Sequence, residues 1–227
     1  MLATRMEILI GGPYEGRSYG HAALRVVTPG GERVYDFGRY GETFGEFGAL
    51  GEGILRVWSS FIPYLWEESK TGRTIKGYVY SIGTHQAQSI HSYYARLVAT
   101  AARREAIAAA MDEYKLPRNY HGVTNNCTTM TLAGASLALP QLLYRPARYN
   151  AGRGLSAKEK TATRAANRGT WPREIFMPAD VQRMLEANPY RSPDRVDIYE
   201  PGSRWCRSPA SPWWLPSYFC LGTRPIR

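Results

Sequence analysis

The sequence predicts an α+β fold: an antiparallel sheet packed on a long helix and on a second, cysteine-bearing helix, followed by a basic, proline-rich C-terminal extension. Three observations predict it. Gly20 to Val27 and Glu32 to Tyr40 are β-type runs on either side of Thr28-Pro29-Gly30-Gly31, a strong turn signal. Apolar residues recur at helical spacing from Gln86 to Lys115. Cys127 to Leu139 is rich in alanine and leucine, with Asn125 or Asn126 placed to cap it and Pro140 placed to end it.

In chain order, Arg5 to Ile10 reads as the first strand, and the hairpin follows. The remaining chain before residue 74 is glycine-rich and reads as loop, with Glu67 and Glu68 on a solvated stretch. Thr74 to Ile82 is the next strand, through Ile75, Tyr78, Val79, Tyr80 and Ile82. The long helix carries Ile90, Tyr94, Leu97, Val98, Ala101, Ala108 and Met111 on one face and stops at Leu116-Pro117. Beyond it, Ser156-Ala157-Lys158-Glu159 has capping-box form and opens a helix leading to Gly169. Pro178-Ala179-Asp180 opens another to about Ala187, and Val196 to Tyr199 reads as an edge strand.

Charge divides the chain more sharply than pattern does. Of the net +10, residues 1–144 carry only +2 and residues 145–227 carry +8, and eleven of the fifteen prolines lie from Pro140 onward. This predicts a module over residues 1–144 with an extension, 145–227, wrapped over it rather than a second core. The basic run Arg145, Arg148, Arg153, Lys158, Lys160, Arg164, Arg168 has only Glu159 as an opposing charge. It fits an anionic glycan, phospholipid headgroups or nucleic acid, or simply a solvated surface. No zinc finger or RNA-recognition signature accompanies it, so no specific nucleic acid is expected. There is no phosphate-binding or dinucleotide fingerprint, hence no nucleotide cofactor is expected. Three cysteines are too few and too dispersed for a structural zinc site, and no metal is expected. Cys206 and Cys220 bracket a tryptophan- and proline-rich segment and are spaced for a disulfide, or else are two separate thiols. No stretch is long and apolar enough to span a bilayer, although membrane contact remains open, and the N-terminus has no export-signal pattern.

Cys127 carries the chemistry. At the first turn of a helix, unpaired N–H groups and the helix dipole favour a thiolate, and the same donors can hold an oxyanion. The alternative is a small buried cysteine under the helix. Of four histidines, His21 heads a rigid strand, and the hairpin turn that sets Val27 opposite Glu32 puts it diagonal to Asp36 on one face. Asp36 is therefore expected to orient His21 as a base; otherwise the two form a polar pair on an exposed hairpin. Asn126, Tyr120 and His121, just upstream of the thiol, are expected to line the site or contribute to an oxyanion site.

Gly20-His21-Ala22-Ala23-Leu24-Arg25-Val26, Tyr35-Asp36-Phe37-Gly38, Tyr120 and Asn126-Cys127-Thr128-Thr129 resemble the permuted papain-like cysteine hydrolases and acyltransferases. These include NlpC-type amidases, the lecithin:retinol acyltransferase group, and periplasmic domains with an Asn-Cys-Thr-Thr signature. The resemblance covers about residues 18–138 and implies a permuted papain-like fold, with Cys127 as nucleophile, His21 as base and Asp36 as its orienting partner. It implies a cysteine peptidase or amidase acting on peptidoglycan peptides. With a basic chain and no export pattern, the expectation extends to a type VI secretion effector, an antibacterial toxin acting in the periplasm of a target cell, with an immunity protein and a secretion-machine component as partners. A thiol lipase or acyltransferase acting on membrane lipids is the second expectation. Against it, the lipid-acting branch has Asn-Cys-Glu-His-Phe where this chain has Asn126-Cys127-Thr128-Thr129-Met130. A non-catalytic glycan- or partner-binding module is the third.

Overall fold

The computed structural model describes residues 3–13, 19–45 and 49–201. The disulfide considered for Cys206 and Cys220, and the aromatic cluster around them, lie outside the described residues. The chain runs β1 (Arg5–Gly11), β2 (His21–Thr28), β3 (Gly31–Gly38), β4 (Thr43–Phe44), β5 (Leu50–Gly51), β6 (Ile54–Trp58), α1 (Phe61–Ser69) and β7 (Ile75–Ser81). It continues through α2 (Thr84–Ala99), β8 (Ala102–Arg104), β9 (Met111–Lys115), β10 (Tyr120–His121), α3 (Cys127–Ala138), α4 (Ala157–Ala166), α5 (Pro178–Glu186) and β11 (Arg195–Tyr199).

The molecule is mixed α and β around an antiparallel sheet ordered β11-β7-β1-β2-β3-β6-β9-β8, with a small sheet β10-β5-β4 beside it. The register of the hairpin is the one its turn demands: Val27 pairs with Glu32 and Ala23 with Asp36. Because strand side chains alternate, each strand supplies two cores. Met6, Ile8, Leu24, Tyr35 and Phe37 pack with α2, α3 and α5 on one face. Leu9, Ala23 and Val34 pack with Phe61, Tyr64 and Leu65 of α1 on the other.

Three expectations are corrected. The long helix stops at Ala99, and the alanine-rich chain beyond it pairs as β8 with β9 at the sheet edge, Ala102 opposite Lys115. Alanine's helix preference is worth tenths of a kcal/mol per residue, which the ladder with β9 outweighs, and the largely exposed ion pairs Arg103–Asp112 (2.6 Å) and Arg104–Glu52 (2.9 Å) flank the strand. The glycine-rich stretch before residue 74 contains β6 and α1 as well as loop. Glu68 is not on a solvated loop: it sits on α1 and is buried.

The described part of the extension shares the first core instead of building its own. Ile175, Val181, Met184 and Leu185 are buried there, and β11 pairs with β7 as an edge strand. Tyr199 of β11 donates its hydroxyl to the buried Glu7 carboxylate at 2.7 Å, fastening the extension to the central strand. Ser156 caps α4 reciprocally with Glu159. Within the basic run, Arg153 is bound at 2.6 Å by Asp180, a fully buried carboxylate from α5.

Candidate active site

Cys127 is the first residue of α3 and is 5% exposed. Its position is fixed by Asn126, whose Oδ1 accepts the Thr129 N–H at 2.9 Å while Thr129 Oγ1 accepts the Asn126 N–H at 2.9 Å. The Asn126 amide nitrogen donates to the carbonyls of Gly122 (2.6 Å) and Phe176 (2.9 Å). Both amide hydrogens are thus taken up, and Asn126 acts as helix cap and tether rather than as an oxyanion donor.

His21 is the first residue of β2. It follows Gly20, whose φ of +70° is left-handed and where a Cβ would stand 2.6 Å from the Gly11 carbonyl oxygen. Only glycine fits that entry into the strand. At the strand end the thiol carried by α3 meets the imidazole: Cys127 is hydrogen-bonded to the His21 side chain and to the Ala22 N–H. His21 Nε2 lies 2.6 Å from Asp36 Oδ1, which leaves Nδ1 for the sulfur. Asp36, 2% exposed, also receives the Tyr40 hydroxyl, with Oη 2.8 and 2.9 Å from its two oxygens. The Arg56 guanidinium stacks 3.6 Å over the Tyr40 ring.

Electrostatics follow from this packing. Burial opposes ionisation of Cys127, but the His21 charge and hydrogen bond and the Ala22 N–H overcome it and lower the thiol. Burial likewise opposes His21 protonation, yet the Asp36 carboxylate and the Cys127 sulfur raise the imidazole well above its ordinary value. Burial would raise Asp36, and the charge and hydrogen bond of His21, with help from Arg56 and Tyr40, lower it instead. All three shifts act in one direction, favouring a thiolate–imidazolium pair with an ionised carboxylate behind it.

Tyr120 brings its hydroxyl to Cys127, hydrogen-bonding both the side chain and the backbone N–H. Burial first, and the sulfur next, push its phenol far up, so it remains a neutral donor beside the Cys127 sulfur. His121 plays a structural part instead, since its Nδ1 accepts the N–H groups of Val123 (3.2 Å) and Thr124 (3.3 Å) and so shapes the loop into α3. It lines the cavity, whereas His21 touches the thiol. His91 is bound to the Tyr35 hydroxyl (2.7 Å), and His85 is exposed on α2.

These groups open into a cavity of about 620 Å³. Its other wall is the extension, through Leu155, Glu159, Ala162, Phe176, Met177 and Pro178. Two residues at its base escaped the sequence reading. Tyr40 folds back over Gly38, where a Cβ would stand 2.7 Å from its ring, so the glycine is the one legible trace of that turn. Glu68 lies behind His21; burial raises its carboxyl, against the charges of His21 and of Arg73, which is 3.2 Å away. Ligand atoms of His21, Asp36 and Glu68 fall within 4.8 Å of one another, a donor set suited to a divalent cation. Two members of that set, His21 and Asp36, are hydrogen-bonded directly to each other at 2.6 Å. No protein family, no curated protein and no solved structure matches this chain.

Proposed function

We propose that the chain is a cysteine hydrolase of permuted papain-like architecture that cuts an amide bond in bacterial peptidoglycan peptides, as a delivered antibacterial effector. One observation carries the chemistry: Cys127, at the start of α3, contacts a strand-borne His21 that is itself held by Asp36 at the base of a cavity. The wall substrate and the effector role rest on the resemblance of residues 18–138 and on the net charge of +10.

In this reading the Cys127 thiolate attacks the carbonyl carbon, and a carbon–sulfur bond forms as the carbonyl π electrons move to oxygen. The Tyr120 hydroxyl, and the Cys127 N–H once it leaves that hydroxyl, would hold the oxyanion; their position beside the sulfur supports this. The intermediate collapses, the C–N bond breaks, and the His21 imidazolium gives its proton to the leaving amine. Neutral His21 then takes a proton from water, which attacks the thioester. As the carbonyl re-forms the C–S bond breaks, its electron pair returns to the Cys127 sulfur as thiolate, the acid departs, and the ion pair with the His21 imidazolium is restored.

The test is incubation of purified peptidoglycan, and separately of phospholipid vesicles, with the wild type, Cys127→Ala and His21→Ala. New muropeptide fragments from the wild type alone support the amidase. Equal action by all three proteins removes the cysteine-hydrolase reading. Fatty acid released only by the wild type selects a thiol lipase, which the apolar wall of Leu155, Phe176, Met177 and Pro178 favours as the second reading.

A further inference from the structure

Three arginines line the cavity, Arg39, Arg56 and Arg73. Two are committed: Arg56 to Glu113 at 2.8 Å and Arg73 to Glu68 at 3.2 Å. Arg39 differs. No carboxylate among the described residues forms an ion pair with it, and it is partly buried. Its guanidinium lies over the Tyr120 ring, 5.4 Å from the centroid, and the hydroxyl of that ring touches Cys127. Its stem is packed where Gly51 leaves room, since a Cβ there would come within 3.4 Å of Arg39 Cγ. The carboxylate across the cavity, Glu159, is bound to Tyr19 and to Ser156.

The geometry points to Arg39 as the binding site for a substrate carboxylate, so that the enzyme acts on acidic acyl compounds. A planar guanidinium presents paired N–H donors matched to a carboxylate, and burial strengthens the attraction. One tyrosine ring stands between it and the thiol. A carboxylate bound there lies near the bond that is cut. The site rests on Cys127 being the nucleophile proposed above.

Two alkylating agents of similar size test the site without a substrate: iodoacetate, which carries a carboxylate, and iodoacetamide, which does not. Both lose iodide to the attacking Cys127 sulfur, and mass spectrometry of the Cys127 peptide separates this thiol from the other cysteines. The rate ratio of iodoacetate to iodoacetamide is expected to fall about five- to tenfold in Arg39→Gln, the size of one partly screened charge interaction. Arg39→Lys is expected to keep most of the preference, and Arg33→Gln, altering an exposed arginine on β3, all of it. The iodoacetamide rate in Arg39→Gln reports the Cys127–His21 pair separately, and taking the ratio cancels any change common to both reagents. A ratio unaffected by Arg39→Gln overturns the carboxylate site and leaves the nucleophile standing. A Cys127 that resists both reagents in the wild type overturns the nucleophile, and the site with it.

Discussion

Nε2 of His21 stands 2.6 Å from Oδ1 of Asp36, and both side chains are buried. A carboxylate in that position fixes the imidazole ring, selects its tautomer and keeps its charge. Asp36→Asn preserves the shape and removes the charge, so His21 holds its proton less tightly and Cys127 loses part of its counter-charge. Hydrolysis by Asp36→Asn should fall by at least tenfold, and turnover equal to wild type would take Asp36 out of the site.

Tyr40 is the clasp behind Asp36. Tyr40→Phe removes the hydroxyl shared by both carboxylate oxygens and leaves the ring under Arg56. A hydrogen bond to a charged group is worth about 1.5–3 kcal/mol, so kcat/KM should fall on the order of ten- to a hundredfold with the fold intact. Circular dichroism checks the fold, and substrate kinetics the loss.

The pH profile follows from two opposite shifts. The thiol is lowered from its reference value of 9.0, so falling pH inactivates only when it passes that lowered value and protonates sulfur. The imidazole is raised well above its reference value of 6.5, so rising pH inactivates only when it passes that raised value and removes the leaving group's proton donor. Activity against pH should be a plateau bounded by these two limits. In Asp36→Asn the alkaline limb should move to lower pH, since Asp36 heads the influences that raise His21.

Asn126 separates stability from electrostatics. Asn126→Ala removes the cap and both tethers, a cost of about 2 kcal/mol or more in denaturant unfolding. Asn126→Asp retains a cap acceptor but loses the donors to Gly122 and Phe176 and sets an anion beside the thiolate. Its Cys127 should ionise at higher pH than in the wild type, as thiol titration would reveal.

The extension is fastened through one buried hydroxyl. Tyr199→Phe leaves Glu7 without that donor, although Arg25 still holds the carboxylate at 2.9 Å. Unfolding should become easier by about 1–3 kcal/mol. Because β11 pairs with β7, amide exchange should rise first along Arg195–Tyr199.

What was legible in the sequence was local. The turn at Thr28 to Gly31 fixed the hairpin register and with it the His21–Asp36 diagonal. The asparagine before Cys127 set the start of α3, and Ser156 that of α4. What was hidden depends on packing at a distance. The glycines before residue 74 made that stretch read as loop, yet α1 forms within it, with Pro63 at the third helical position, where the N–H has no intrahelical partner to lose. Glu68 looked solvated because the groups it meets, among them His21, Asp36 and Arg56, lie far from it in the sequence. The alanines between residues 101 and 110 carried a helical rhythm that the sheet edge overrode. Tyr40 lies beyond the end of β3 and reaches Asp36 only because Gly38 has no side chain.

The ionic state of Cys127 is central to the proposed chemistry, and thiolate ultraviolet absorbance reads it directly. Subtracting the pH titration of Cys127→Ser from that of the wild type isolates this one sulfur. The predicted difference is an ionisation step clearly below the reference thiol value of 9.0, which moves up in His21→Ala. A step at or above that value, unmoved by His21→Ala, would contradict it.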